Sequence, residues 1–465
     1  MQLWIEWWKV AVQLRPACSR SRTFLWMIVA LAGISVRSDL LGVTSVVRSL
    51  GLFDKYYDRL LDLFHSRAID PNRLSQVWTQ IVLRIFPSAL RFNGRLVLLG
   101  DGIKIAKAGR KMPAVKTLHQ ESDSNTKPEY IMGHSCQAVS LVVGAEAGAF
   151  AVPLATRIHE GLVFSNRDER TLLDKMVSLI EMLALNQPFY FVGDAYYACK
   201  TVALGLLAGG AHLVTRVRSN AVAYMPVVPT KKRRKRGRPK VYGQKIKMAS
   251  LFLGPMTSAP SPVYGEVGIE IQYHAIELIG TPLRRLVRFV LVIHPSRGRC
   301  IFMSTDLSLL PIEVIRLYGI RFKNELSFKQ ALRVVGAYAY HFWMRDMTPI
   351  KRFSGDQYLH RETDKYRNAI RAKIDAYHRY MQIGIIAQGL LQYLSVQFPQ
   401  AVWANFGSWL RTIRPGVPPS EMVTAQALRT SLPEFLTCIK HSSAFTKFLL
   451  ERIDLSRAEG FRLAG

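Results

Sequence analysis

The chain has 465 residues, with 63 Lys and Arg against 33 Asp and Glu, for a formal net charge of +30. That length allows several domains with full hydrophobic cores, and that charge predicts a polyanionic partner, nucleic acid or an anionic membrane surface. The five cysteines are scattered without a CxxC pair, which argues against a zinc ribbon or a disulfide framework and indicates a reducing compartment.

The most apolar stretch, residues 23–35 (TFLWMIVALAGIS), follows basic residues, so a signal peptide has to be considered. It has only 13 residues, too few to cross a bilayer. No convincing small-residue cleavage site follows it. We therefore predict a buried helix and no membrane partner.

Residues 1–92 have the pattern of short helices, with apolar positions at helical spacing in 60–64 and 77–86. The segment 38–52 (SDLLGVTSVVRSLGL) allows a helix-turn-helix and has basic residues near it. The region is predicted to be a helical DNA-binding region. A helical bundle that only packs on the next domain fits the same pattern.

From Gly94 onward, short apolar runs alternate with helical patterns, which predicts an α/β fold. The predicted strands are 95–99, 136–143, 149–154, 189–192, 211–217 and 299–304, and the predicted helices are 167–185 and 197–207. The predicted organisation is a helical region at 1–92, a catalytic core at 93–217, an inserted β subdomain with a basic loop at 218–292, the last strand and helix of the core at 293–346, and a helical C-terminal region at 347–465, a possible dimerisation region.

Two acidic residues each end an apolar strand, Asp101 in LVLLGDG and Asp194 in FYFVGDAYY. Carboxylates at strand ends lie at the rim of a sheet, where α/β folds bind their ligands. A single Asp after a strand is as often a turn or helix cap. Two Gly-Asp steps after apolar runs favour a site.

A third acid, Glu325, lies in the segment 317–342, for which we predict one helix. Arg321, Glu325 and Lys329 are four residues apart, so they lie along one helical face. Simple pairing of the three charges, worth a few tenths of a kcal/mol, is the plainer interpretation. The other is a helix that brings a carboxylate to a site for phosphate.

Three carboxylates at one rim would repel each other unless cations lie between them. Mg²⁺ takes oxygen ligands, and two such ions about 4 Å apart can activate a water or a 3′-hydroxyl for phosphoryl transfer. Asp306 also follows a predicted strand and competes for the third position. We favour a cap or turn role for Asp306.

These segments resemble the catalytic core of bacterial insertion-sequence DDE transposases of the cut-and-paste type. The matching pieces are LLGDGIKIAKAGRKMP, FVGDAYYACK and STDLSLLPIEVIRLYGIRFKNELSF, the last with the Tyr-x2-Arg-x3-Glu signature at Tyr318, Arg321 and Glu325. The resemblance covers about residues 95–345. It implies an RNase H-like mixed sheet with an inserted β subdomain, flanked by helical N- and C-terminal regions.

The resemblance also implies a site and a reaction. Asp101, Asp194 and Glu325 would bind two Mg²⁺ or Mn²⁺ ions, and Tyr318 and Arg321 would contact phosphate near the cleaved end. The protein would cut the ends of a mobile element and join the 3′ ends to target DNA. Its partners would be double-stranded DNA, as terminal inverted repeats and target, and a second copy in a DNA-bound homodimer. Its location would be the bacterial cytoplasm, with the nucleoid.

One position departs from the resemblance. The family usually has a Lys seven residues after the Glu, where this chain has Leu332. Lys329, one helical turn after Glu325, is our first candidate for that phosphate contact, and Arg333 is the second.

The run 231–240, KKRRKRGRPK, has eight basic residues in ten. Arg236 and Arg238 lie in RGRP, which resembles the core of an AT-hook that binds the narrow minor groove of A·T-rich DNA. A solvated loop that binds phosphates without sequence preference is the alternative.

Two other functions fit the same residues. An RNase H-like nuclease would hydrolyse DNA without joining it. A non-catalytic DNA-binding repressor derived from a transposase would bind DNA equally well without metal and never cut it.

Overall fold

The computed structural model describes residues 1–120, 128–144, 148–227, 240–281, 283–407, 417–438, 443–454 and 456. Its helices are α1 (Gln2–Ala11), α2 (Ser21–Val36), α3 (Val43–Ser49), α4 (Tyr57–His65), α5 (Pro71–Ile85), α6 (Leu172–Met182), α7 (Lys200–Ala208), α8 (Pro311–Ile320), α9 (Phe322–Gln330), α10 (Asp364–Gln397), α11 (Pro399–Phe406), α12 (Glu421–Thr437) and α13 (Ala444–Leu450).

Its strands are β1 (Arg91–Phe92), β2 (Arg95–Ala106), β3 (Lys116–His119), β4 (Tyr130–Val143), β5 (Phe150–Ile158), β6 (Leu162–Val163), β7 (Phe189–Gly193), β8 (His212–Val217), β9 (Val222–Tyr224), β10 (Lys245–Lys247), β11 (Thr257–Pro260), β12 (Glu270–Gly280), β13 (Arg285–His294), β14 (Gly298–Ser304) and β15 (Gln357–Tyr358). All six predicted core strands and both predicted core helices are confirmed, with somewhat different ends.

The centre of the main sheet has the order β5-β4-β2-β7-β8. Strands β2, β4 and β5 pair antiparallel, whereas β2, β7 and β8 run parallel. The parallel pairs need crossovers, which α6 and α7 provide. This is an RNase H-like arrangement, so the predicted α/β fold with a mixed sheet and helical ends is confirmed.

The inserted strands extend this sheet and do not form a separate one. Strand β14 pairs antiparallel with β8, and β13, β12, β9 and β10 follow in order. The hairpin of β12 and β13 pairs from Gln272↔Ile293 to Gly280↔Arg285. Most of the basic run, 231–239 with Arg236 and Arg238, lies outside the described residues.

The N- and C-terminal helices share a hydrophobic core with the sheet. Residues of α1 and α2, including Trp4 and Trp7, belong to the same buried cluster as α10 and α12. Helix α2 is buried from Trp26 to Val36, which confirms the buried helix predicted there. No helix in the described part of the chain is long and apolar enough to span a membrane.

The single helix predicted over 317–342 is wrong. Helix α8 ends at Ile320 and α9 begins at Phe322, and the Arg321 N–H bonds to the carbonyl of Tyr318, a tight i+3 pattern. After α9, one π-helical turn ends at Val335, because Gly336 takes a left-handed φ of 66°. Residues 337–359 then lie along the surface of the core as a segment that we call the strap.

Arg37 closes the C-terminal end of this helical segment. Its side chain is buried and donates to the carbonyls of Val335 and Gly336 and to the hydroxyl of Tyr380. A Cβ at Gly336 would lie 2.4 Å from the Arg37 guanidinium. A cation at a helix C-terminus satisfies carbonyls that the helix leaves unpaired.

We predict that Arg37→Ala lowers the free energy of unfolding by about 2–4 kcal/mol, because several buried carbonyls lose a charged donor. Denaturant unfolding of the purified chain measures this. The matched control is Arg48→Ala, since Arg48 is 56% exposed and forms a surface ion pair with Asp39; it should cost less than about 1 kcal/mol. Equal effects would contradict the capping role of Arg37.

Candidate active site

Asp101 and Asp194 lie at the same edge of the sheet. Asp101 lies within β2, which continues to Ala106, so the prediction that it ends a strand is wrong. Asp194 directly follows β7, and β2 and β7 are parallel neighbours with Leu99 paired to Val192. Asp194 accepts a hydrogen bond from the Tyr196 N–H at 3.0 Å, and the Thr215 hydroxyl bonds to its carbonyl. Asp194 therefore does cap the short turn after β7, and its carboxylate still lies at the rim of the sheet.

Arg321 joins Asp101 to Glu325. One guanidinium nitrogen lies 2.9 Å from an Asp101 oxygen and the other lies 2.8 Å from a Glu325 oxygen. The i, i+4 ion pair of Arg321 with Glu325 that the spacing predicts is therefore present, and the other guanidinium nitrogen reaches Asp101 on β2. Asp101 and Arg321 are each 20% exposed, whereas Glu325 is 58% exposed.

The pKa of Asp101 is raised from its ordinary value of 3.8 to about 6. Burial is the main cause, and the carboxylates of Asp194 and Glu325 raise it further, against the effect of Arg321. The three carboxylates thus act on one another, with one guanidinium among them. Perturbed carboxyls that also converge in space are typical of functional sites.

The inner face of α9 fixes which side of the helix carries Glu325. Buried Asn324 accepts from the Ser140 hydroxyl of β4 at 2.9 Å, and Gln388 of α10 donates to the Ser327 carbonyl at 3.0 Å. These positions are three apart and share one face. Glu325, about 100° around the helix from Asn324, is thereby turned outward toward Arg321.

The loop between β11 and β12 packs on the junction of α8 and α9. Tyr264 stacks on Phe322 with ring centroids 5.9 Å apart, and the Lys323 ammonium lies 3.9 Å from the Tyr264 ring centre. A Cβ at Gly319 would lie 3.2 Å from Val263, so a larger residue would push this loop away. The inserted strands therefore help to place the helix that carries Glu325.

Asp306 lies at the opposite edge of the sheet. It accepts hydrogen bonds from the Tyr190 hydroxyl, near the start of β7, and from the N–H and hydroxyl of Ser308. Strand β14 runs antiparallel to β8, so its end lies where β7 and β8 begin. The turn role predicted for Asp306 is confirmed, and it cannot join Asp101 without refolding the sheet.

Tyr318 lies beside this cluster and packs on Phe302, with ring centroids 4.6 Å apart. Burial raises its pKa, and nearby Arg321 and Arg216 oppose that effect. Sequence reasoning missed Arg216. The signal was available, because Arg216 lies near the end of β8, the next parallel strand after β7.

The structure does not place the other predicted site residues among the carboxylates of Asp101, Asp194 and Glu325. Lys329 and Arg333 are both exposed, on α9 and on the π turn that follows it. Arg236 and Arg238 lie outside the described residues.

Comparison with known proteins identifies the family. A family model described as "DDE superfamily endonuclease" matches residues 16–263, more than half of the chain. The chain belongs to this family of DDE superfamily endonucleases. The match includes Asp101 and Asp194 and ends before Glu325.

A solved structure is also similar to this DDE endonuclease, the cryo-electron microscopy structure of the piggyBac transposase synaptic complex with hairpin DNA. The two are 12% identical, with a TM-score of 0.35, and the alignment covers 96% of this chain and 79% of that chain. No curated protein sequence matches the chain.

The donor set of this DDE endonuclease suits a hard divalent cation, because Asp101, Asp194 and Glu325 offer only oxygen. Among the described residues, however, no three His, Cys, Asp or Glu side chains are already grouped as a metal site. Arg321 contacts two of the three carboxylates. The chemistry of the residues fits Mg²⁺ or Mn²⁺, with the Arg321 cation among them.

We predict that Asp101→Asn stabilises the metal-free endonuclease at pH 7.5 by about 1–3 kcal/mol. The folded-state pKa of about 6 lies above the ordinary 3.8, so the favourable contribution of this carboxyl is complete below about pH 4. It is lost as the pH rises through 6, and Asn does not ionise. Unfolding in EDTA at pH 7.5 and pH 4 measures the difference, which should vanish at pH 4. If Asp101→Asn were less stable than the unchanged chain at pH 7.5, this would contradict the conclusion that the buried, ionised Asp101 destabilises the fold.

Proposed function

We propose that this endonuclease is a transposase that cuts the ends of a mobile element and joins the freed 3′ ends to target DNA. The observation that carries the proposal is the mutual interaction of Asp101, Asp194 and Glu325 around Arg321. Family membership supports cutting of nucleic acid, and the net charge of +30 supports a DNA partner.

Asp101, Asp194 and Glu325 would hold the catalytic metal, Mg²⁺ or Mn²⁺, as two ions. When bound, such ions activate a water or a 3′-hydroxyl and stabilise the leaving oxygen of an in-line displacement. The carboxylates would position the attacking and leaving oxygens, and burial of Asp101 would keep bulk water from its inner side. No covalent link between enzyme and DNA is needed.

Arg321 would exchange partners as DNA binds. Its guanidinium pairs with two carboxylates, and a DNA phosphate is an equally suitable bidentate partner. Transfer of Arg321 to phosphate would free Asp101 and Glu325 for metal. Tyr318, next to Arg321 with 5.9 Å between the guanidinium carbon and the ring centre, would add a contact near the cleaved end.

The remaining basic residues would bind the rest of the DNA. Arg236 and Arg238 would enter an A·T-rich minor groove or contact phosphates, and residues 1–92 would bind the element's inverted repeats. If about six to ten phosphates are neutralised, affinity falls roughly 10³- to 10⁵-fold between about 50 and 200 mM salt. Two element ends call for two active sites, hence a homodimer in the DNA-bound complex. The setting would be the bacterial cytoplasm, with the nucleoid.

We predict that Asp101→Asn, Asp194→Asn and Glu325→Gln each slow strand cutting in Mg²⁺ by about 10³-fold or more, because each ligand supports several kcal/mol of transition-state stabilisation. Labelled duplexes from both flanks of the gene, with a plasmid as target, report cutting and joining. The variants should still bind these duplexes in EDTA.

Glu313→Gln is the control, because Glu313 accepts from the Leu310 N–H at the start of α8 and lies outside the carboxylate cluster. It should cut and join like the unchanged chain. Wild-type cutting by an acid variant removes that residue from the site. Cutting without joining identifies a hydrolytic nuclease, and metal-independent binding without any cutting identifies a repressor.

We predict that Lys329→Ala weakens binding of the element end about three- to tenfold and lowers the salt slope by about one, as for loss of one phosphate contact. Arg333→Ala should have a smaller effect, because Lys329 lies one turn from Glu325. Titrations in EDTA at several salt concentrations measure both, with exposed Arg84→Ala of α5 as the control. A larger effect of Arg333→Ala would give the phosphate contact to Arg333.

A further inference from the structure

The strap presents two large aromatic rings to solvent. Trp343 is 65% exposed and Phe353 is 70% exposed. From His341 to Arg345 the side chains alternate between exposed and buried, with Phe342 and Met344 turned into the core. The strap is therefore anchored by every second residue, and Trp343 projects outward because of that alternation.

The turn at residues 107–111, directly after β2, holds the strap in place. The Lys107 ammonium donates to the carbonyls of Tyr338 and Tyr340, and the Met344 N–H donates to the Lys111 carbonyl. The indole of Trp343 lies over Gly109, with its nitrogen 3.0 Å from where a Cβ would be. A side chain at position 109 would meet Met112 first, at 2.6 Å, and would also crowd the ring.

The second ring is held outward by an unfavourable backbone. Phe353 has a φ of 61°, which a bulky residue rarely adopts and which glycine tolerates. Two backbone hydrogen bonds of Ser354 fix the turn around Phe353. The Ser354 N–H donates to the Lys351 carbonyl, and the Ser354 carbonyl accepts from the Thr117 N–H. Strain of this kind persists only where the surroundings enforce it.

The surface around both rings is basic. The exposed cations are Arg110, Arg345, Lys351 and Arg352. The acids of the strap are Asp346 and Asp356, and Asp356 pairs with Lys116. Within the described part of the chain, Arg345, Lys351 and Arg352 form no ion pair with an acid. The turn 107–111 and the strap thus form a basic surface with two projecting rings.

We propose that this surface binds an unpaired DNA strand, whose bases stack on Trp343 and Phe353 while the cations contact its phosphates. Projecting aromatics among cations match single-stranded nucleic acid, because every base offers a face for stacking. A duplex would need only the cations. Lys107 is six residues beyond Asp101 on the continuation of β2, roughly 20 Å away, so a strand end released at the carboxylates reaches the strap within a few nucleotides.

This inference rests on the proposed function for the source of the strand, since an enzyme that cuts DNA creates ends whose last bases can unpair. The binding test itself does not need cutting. A labelled 15-nucleotide single strand and its duplex are titrated against the full-length chain in EDTA.

Trp343→Ala and Phe353→Gly should each weaken single-strand binding about tenfold and change duplex binding less than about twofold. Trp343→Phe should retain most of the affinity, because a ring remains. Phe353→Gly should raise the melting temperature, since glycine accepts the left-handed backbone, so its binding loss cannot come from unfolding. Arg84→Ala, which removes one exposed charge beside the start of the sheet, should leave single-strand binding within about twofold.

Unchanged single-strand affinity in Trp343→Ala and Phe353→Gly would overturn the proposal. Equal losses for single strand and duplex would also overturn it, because they indicate a backbone contact without stacking. The two proposals fail separately. If the unchanged chain never cuts DNA but the strap variants lose the single strand, the strap assignment stands and the transposase proposal falls. If the unchanged chain cuts DNA and both variants bind the single strand normally, the transposase proposal stands and the strap assignment falls.

Discussion

One guanidinium, Arg321, links the two parts of the candidate site. It spans from the carboxylate on β2 to the carboxylate on α9, positions 220 residues apart in one case and four in the other. Without a cation there, three carboxylates at a half-buried rim would repel. Burial is the main cause that raises the pKa of Asp101, and the carboxylates of Asp194 and Glu325 raise it further while Arg321 opposes them. Arg321 lies between α8 and α9, one turn before Glu325, and from there its side chain reaches both partners.

Contacts from several other parts of the chain hold α9 at that position. Arg37, from the end of α2, binds the last carbonyls of the helical segment. Gln388 and Ser140 bind its inner face, and Tyr264 packs on its first residue. These contacts come from the N-terminal helices, the C-terminal helix α10, the central sheet and the inserted strands. The terminal regions are therefore structural supports of the site, in addition to any DNA contact they make.

The direction of each strand decides which acidic residue belongs to the site. Asp194 and Asp306 follow apolar strands, and Asp101 follows the apolar run in the first half of β2. Strands β2 and β7 run parallel, so Asp101 and Asp194 reach the same edge, whereas β14 runs antiparallel to β8 and brings Asp306 to the other edge. Arg216 reaches the edge shared by Asp101 and Asp194 because β8 continues the parallel set.

Local sequence patterns were enough to predict the core strands, the two carboxylates that follow apolar runs and the i, i+4 relation of Arg321 to Glu325. These follow from local periods of two and 3.6 residues, which any short window contains. Local patterns do not record long-range packing, and the one helix predicted across Arg321 and Gly336 is two helices and a π-helical turn in the structure. The folded chain was needed to see that Arg321 also binds Asp101, that Arg37 closes the helical segment, and that Trp343 and Phe353 of the strap are exposed. Such contacts join residues far apart in the chain, and no local pattern records which of them will meet.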